Sequence, residues 1–169
     1  MGYTAPRTWV AGEYPTAAIF NQHLRDNFLA TFPASAPDVA WSTYTPTLTQ
    51  SGAVTKTVDY ASYMKIGRLV ICNVHLTATG AGTGSNAISI STPFTANTAG
   101  LMTVGTGVIF DSSANTRFPG IAILASSTTI QFFPSSEANQ NGYLGAIIMT
   151  AALASADTIT AHFAFESTT

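Results

Sequence analysis

Charge is what this chain has least of. Only 8% of its 169 residues are Asp, Glu, Lys or Arg, against roughly 25% in an average soluble domain. The six basic residues are scattered between Arg7 and Arg117 and the formal net charge is −2. Nucleic-acid binding needs a basic stripe, and there is none. With Cys72 as the single cysteine, no intrachain disulfide can form, and its place in an alternating apolar run reads as a small buried hydrophobe. Long hydrophobic runs are missing too. The longest, Leu144 to Ala156, carries Thr150 and Ser155 and is too short to span a bilayer. The first residues lack the charged segment and apolar block of a secretory signal. Pro6 also stands where a myristoylation motif wants Ser or Thr. A soluble protein without membrane insertion and without an export signal is expected.

What is present is apolar and hydroxylic. Hydrophobic residues make up 46% of the chain, which argues against disorder, since disordered chains are charged and poor in apolar residues. The length suits one compact domain with an appendage. So weakly charged a chain must either cover itself with Thr, Ser, Asn and Ala or hide surface against other subunits.

The organising stretch runs from Trp41 to Thr77. It reads as an extended strand, a Gly-containing break, and a β-hairpin turning at Ile66-Gly67. In the second arm Val70, Cys72, Val74 and Leu76 share one face, and Asn73, His75 and Thr77 share the other. That period of two predicts one face in the core and one outward.

Before this stretch, Tyr3 to Tyr14 reads as an extended arm. From Thr16 the period changes. Thr16 can cap a helix in which Phe20, Leu24 and Phe28 recur every four residues, until Phe32-Pro33 stops it. A helix of about four turns is marginal alone in water and needs a partner surface. Residues 34–38 read as a short linker. The partner surface of the helix could be its own β-domain, copies of itself or another protein, and the expected organisation is an N-terminal arm and amphipathic helix over residues 1–40 and a β-domain over 41–169.

Within the β-domain, Ile88 and Ile90 mark a short strand, and 101–104 and 107–111 read as two more. Thr116 to Ala125 reads as a strand interrupted at Pro119-Gly120, suggesting an edge or bulge. Ile130 and Phe132 alternate in the next strand. The stretch 143–154 fits a buried strand, a short helix or an interface loop equally well. In the last strand Ile159, Ala161, Phe163 and Phe165 face in, with Thr160, His162 and Glu166 out. The expected fold class is mainly β: an antiparallel, jelly-roll-like β-sandwich preceded by an N-terminal arm and one short α-helix.

Catalytic chemistry finds little support. The eight acidic residues are widely spaced, and Asp111 with Glu137 is the only pair worth testing for a glycosidase arrangement. His75 and His162 lie on outward faces and would meet if their strands pair, but two imidazoles without a third ligand do not make a metal site. No nucleophile elbow, phosphate-cradling loop or HExxH helix occurs. The expectation is a non-enzyme without metal or cofactor. Loops on a rigid sandwich commonly carry recognition. Tyr143 beside Asn139 and Asn141 could stack on a sugar, and Phe118 near Asp111 and Asn115 offers a second patch. Either cluster could equally be a structural turn or a contact between subunits.

Several segments resemble structural proteins of tailed bacteriophages, of the minor tail, fibre-tip, baseplate and head-fibre types. They are W-x-x-Y-T-P-T-L from Trp41, Y-x-K-I-G-x-x-V from Tyr63, T-A-P-R-T-W-V-A-G-E from Thr4 and N-x-H-L-R-D-N-F-L from Asn21. The run from Asp111 to Leu124 and the closing D-T-I-T-A-H-F-A-F-E from Asp157 are similar as well. The resemblance implies a virion protein, assembled in the host cytoplasm and located on the tail or capsid surface. It implies a homotrimer attached to other virion proteins through the N-terminal segment, with Trp9, Phe20, Leu24 and Phe28 in that contact. The head would then act as a tail-fibre or tail-tip receptor-binding domain, docking on a bacterial surface glycan, or as a capsid decoration. A free carbohydrate-binding module and a glycan depolymerase are the alternatives from other classes.

Overall fold

The structure, a computed structural model, describes residues 7–8, 10–27, 41–98, 103–134 and 151–168. The chain divides into two compact units, Met1–Trp41 and Ser42–Thr169.

In the first unit residues 10–13 form a turn where the sequence predicts a plain extended arm. Gly12 adopts φ +83°, the Glu13 N–H donates to the Val10 carbonyl at 3.1 Å, and Arg7 pairs with Glu13. The helix begins where expected. Thr16 is extended and its Oγ1 accepts the Ile19 N–H at 3.3 Å, capping α1 (Ala17–Phe20). The winding then departs from expectation, because Asn21–Asp26 is a π-helical turn with hydrogen bonds spaced one residue wider than in an α-helix. Asn27 closes the turn: its backbone N–H donates to the Leu24 carbonyl and its side-chain amide to the His23 carbonyl at 3.3 Å. The expected Phe28 end of the stripe, the Phe32-Pro33 stop and the linker at 34–38 lie outside the described residues, as does Trp9.

The second unit is mainly β. Its strands are β1 (Ser42–Thr43), β2 (Leu48–Gln50), β3 (Gly52–Ala53), β4 (Lys56–Ile66), β5 (Leu69–Ala78), β6 (Ile88–Ser91), β7 (Thr103–Asp111), β8 (Thr116–Ser126), β9 (Thr129–Pro134) and β10 (Thr158–Glu166). They form one antiparallel sheet in the order β1-β4-β5-β10-β7-β8-β9-β6-β2-β3. The hairpin β4–β5 is as predicted. Gly67 takes φ +58° at the first of two turn positions and Ile66 pairs with Leu69, the arrangement a type II′ turn requires.

That single sheet must curl on itself, because the chain twice steps between its two ends. The Tyr44 N–H donates to Ala61 of β4, yet three residues later the Thr47 N–H donates to Ser91 Oγ of β6 at 2.8 Å. Three extended residues reach about 10 Å, roughly the spacing of two packed sheet layers. Residues 54–55 make the second crossing, from β3 to β4. The sandwich predicted from strand periodicity is therefore a continuous sheet folded over one core.

The inward residues of every long strand fill that core. Val70, Cys72, Leu76, Ile90, Ile130, Ile159 and Phe163 are fully buried. Each large apolar side chain so buried contributes about 1.5–3 kcal/mol. Two buried polar side chains serve the backbone. Gln50 accepts the Leu153 N–H at 2.8 Å and donates to the Ala151 carbonyl at 3.0 Å. Asp157 accepts the N–H groups of Ser112 at 2.9 Å and Ala154 at 2.8 Å. Between them they fasten residues 151–154, the described part of the stretch left undecided by sequence, to β2 and to the β7–β8 turn.

Two expectations from glycine and proline are corrected. Gly105 and Gly107 lie inside one continuous strand, β7, rather than in a break between two. A Cβ on Gly107 would sit 2.8 Å from both the Phe132 ring and the Thr160 carbonyl, so the glycine answers to close approach and not to a turn. β8 is not an edge strand, since β7 and β9 flank it. Among the described residues its register with β9 runs to Gly120↔Pro134, and Pro119, which cannot donate to a ladder, lies opposite Val108 of β7.

Candidate functional site

The outward face of the sheet carries a shallow groove of about 540 Å³ across β4, β5, β10, β7 and β8. Alternation assigns its walls. Since Val74, Ala161 and Ile109 point into the core, their neighbours Asn73 and His75, Thr160 and His162, and Thr106 and Val108 point out. The floor is backbone around Gly107, which pairs with Ala161 on one side and Gly120 on the other. Gly107, Ala161 and Gly120 turn what side chain they have toward the core, so the floor of the groove is main chain.

Tyr60 forms the end of the groove on β4, and a β-bulge sets its direction. Register passes from Val58↔Leu76 to Tyr60↔His75, leaving Asp59 as the extra residue. A bulge re-aims the side chains around it. Asp59 and Tyr60 are both exposed as a result, with Tyr60 at 50%. Asp59 Oδ2 accepts the Thr77 hydroxyl at 2.6 Å. A second depression of about 360 Å³, bordered by Thr43, Thr45 and Asp59, shares Tyr60 with the larger groove.

The two histidines approach as their pairing strands require. His75 lies opposite Thr160, and His162 opposite Asn73, so the imidazoles are diagonal neighbours on one face. His162 Nδ1 lies 2.7 Å from Asn73 Oδ1. The amide oxygen can only accept, so Nδ1 carries the proton and a neutral ring keeps Nε2 as an acceptor. Among the described residues no three His, Cys, Asp or Glu side chains converge as metal ligands would. Among the described residues no Lys, Arg, Asp or Glu borders the larger groove.

Of the loop residues predicted to bind a receptor, Asp111 and Asn115 sit in the β7–β8 turn. Asp111 Oδ1 accepts the Ala114 N–H at 2.9 Å and the Ser113 hydroxyl at 2.7 Å. Those bonds, the backbone one first, hold its carboxyl below the usual range. Asn115 completes the turn at φ 51°. Phe118 packs against the core, so its ring is not laid out beside them as a platform. Asn139, Asn141 and Tyr143 lie outside the described residues, and so does Glu137, the proposed partner of Asp111 in a carboxylate pair.

In the first unit Phe20 and Leu24, the predicted attachment residues, are 48% and 56% exposed, and Val10 and Tyr14 more so. No residue of α1 is buried. No described helix is long and apolar enough to cross a membrane.

Sequence reading found the histidines but missed Tyr60, Asn73, Thr106 and Thr160 as one group. The alternation contained Asn73 and Thr160, but the bulge that exposes Tyr60 leaves no residue-type signal. Compared with known proteins, the chain matches no family, no curated protein and no solved structure.

Proposed function

We propose that this chain is a structural protein of a tailed-bacteriophage particle, without catalytic activity. It assembles as a homotrimer, is held to the particle by its N-terminal segment, and displays the β-domain outward as a tail-fibre or tail-tip head. One observation carries the reading: in the N-terminal unit Leu24 is 56% exposed, and Val10 and Tyr14 more so. A short helix gains its stability by burying an apolar face. A second copy or a docking protein can supply that surface, and cyclic closure would supply it three times over. The sequence resemblance to phage structural proteins and the sparse charge support the same reading.

The mass of the full chain in solution, beside that of a chain beginning at Trp41, tests it. The full chain is expected to be a trimer. Dissociation on deletion assigns assembly to the helix, and survival of the trimer assigns it to the β-domain. Monomers in both samples remove the assembly argument. Imaging of labelled particles then decides between tail and capsid, and label on neither ends the virion reading.

A further inference from the structure

We infer that the outer-face groove across β4, β5, β10, β7 and β8 is a binding site for a neutral saccharide, gripped between Tyr60 and the His162–Asn73 pair. Three properties of the groove select that chemistry. Its volume of about 540 Å³ falls in the range of small-ligand sites, roughly 300–1,000 Å³. Among the described residues no Lys, Arg, Asp or Glu stands on its border, so a phosphate, carboxylate or polyamine would shed its water without a permanent counter-charge. And it mixes apolar surface with groups that both donate and accept. Val108 and Pro119 stand on one side, the half-exposed Tyr60 ring on the other, with the Thr106 and Thr160 hydroxyls and two imidazoles on the strands between.

A purely hydrocarbon ligand would cover those polar groups and leave them without partners, a desolvation cost that nothing in the ligand offsets. A ring with an apolar face and hydroxyls at its rim satisfies both kinds of surface. Asn73 acts here as a positioning residue. By taking the Nδ1 proton at 2.7 Å it turns Nε2 of His162 into a fixed acceptor for a ligand hydroxyl. Tyr60 lines the second depression as well, so a saccharide of more than one unit reaches both hollows past one residue. The ligand is therefore an oligosaccharide rather than a single sugar.

The inference takes its biological setting, an outward-facing head, from the reading above. Its test is separate, since oligomer mass and groove occupancy report on different residues. The full chain, labelled with ¹³C at histidine, is titrated with trimers of glucose, galactose and N-acetylglucosamine and with a rhamnose disaccharide. Sialyllactose, inorganic phosphate and zinc chloride serve as controls. At least one neutral sugar is expected to shift the His75 and His162 ring signals saturably, while the two anions shift neither. Tyr60→Ala should weaken that binding about tenfold and Tyr60→Phe by less than threefold, because the ring supplies the contact. Asn73→Ala should weaken it about threefold to tenfold, the worth of one hydrogen bond, and abolish the single-tautomer signature of His162 in the free protein. The inference is overturned if none of the four sugars shifts either ring, if an anion binds as well as the sugar, or if zinc alone moves both rings. It is overturned equally if Tyr60→Ala changes the oligomer mass and not the sugar affinity, for the groove is then a contact between copies.

Discussion

Cys72 shows what full enclosure does to one ionisable atom. Its side chain is fully buried on β5, opposite Tyr63 and Phe163 on the flanking strands. Loss of hydration disfavours the thiolate and pushes the thiol up to about 12. Tyr44 beside it is raised as well, by burial first and by Cys72 second. The sign of the linkage follows. Between the ordinary thiol range near 9 and about 12, the unfolded chain has given up a proton that the folded chain keeps. Stability then falls as pH rises through that window. Denaturant midpoints measured from pH 8 upward should decline. Cys72→Ala should start lower, because it leaves a small cavity, but fall less steeply, the remaining slope belonging to Tyr44 and other groups. Equal slopes in the two proteins would refute the assignment.

At the scale of elements, the β4–β5 hairpin offers the cleanest test of turn chemistry. A Cβ on Gly67 would meet nothing within 4 Å, so substitution there costs backbone conformation and nothing else. Gly67→Val should destabilise by about 1–3 kcal/mol, the strain of a β-branched residue held at positive φ. Gly67→Asn should cost clearly less, since Asn is accepted at the positive-φ positions of such turns. Thermal unfolding of the two variants side by side reads the difference. This hairpin was legible in the sequence because a turn residue and the strict alternation of its second arm, β5, agree. Gly105, Gly107 and Pro119 were misread for one common reason: glycine and proline are punctuation when local rules decide. Inside a sheet they record what a neighbouring strand requires, here the Phe132 ring beside Gly107. The groove was half legible. Alternation sends His75, Asn73, Thr160 and His162 outward, but the bulge at Asp59 and the pairing of β10 between β5 and β7 are long-range facts. The helix start at Thr16 was legible from its cap, while nothing in the residue pattern marked the π-turn over Asn21–Asp26.

At the scale of the molecule, the folded-over sheet depends on a few fastenings placed where it has no ladder of its own. Gln50 is the most exacting. It stands at an inward position of β2, two residues from Leu48, where the pattern calls for an apolar side chain, and it is fully buried. Its amide acts as an extra peptide group, accepting from Leu153 and donating to Ala151, about one hundred positions along the chain. Gln50→Leu keeps the volume and adds apolar surface, so a hydrophobic ledger alone predicts a gain. Hydrogen-bond accounting predicts the reverse, because the buried Leu153 N–H loses its acceptor at about 1–3 kcal/mol. The two outcomes differ in sign, which makes the substitution decisive. Destabilisation in urea with an unchanged m-value is expected, along with faster amide exchange at Leu153 while the β5 and β10 amides keep their protection. A Gln50→Leu protein more stable than the parent would mean that residues 151–153 are held by packing, and the amide bridge would lose its place in the account of this fold.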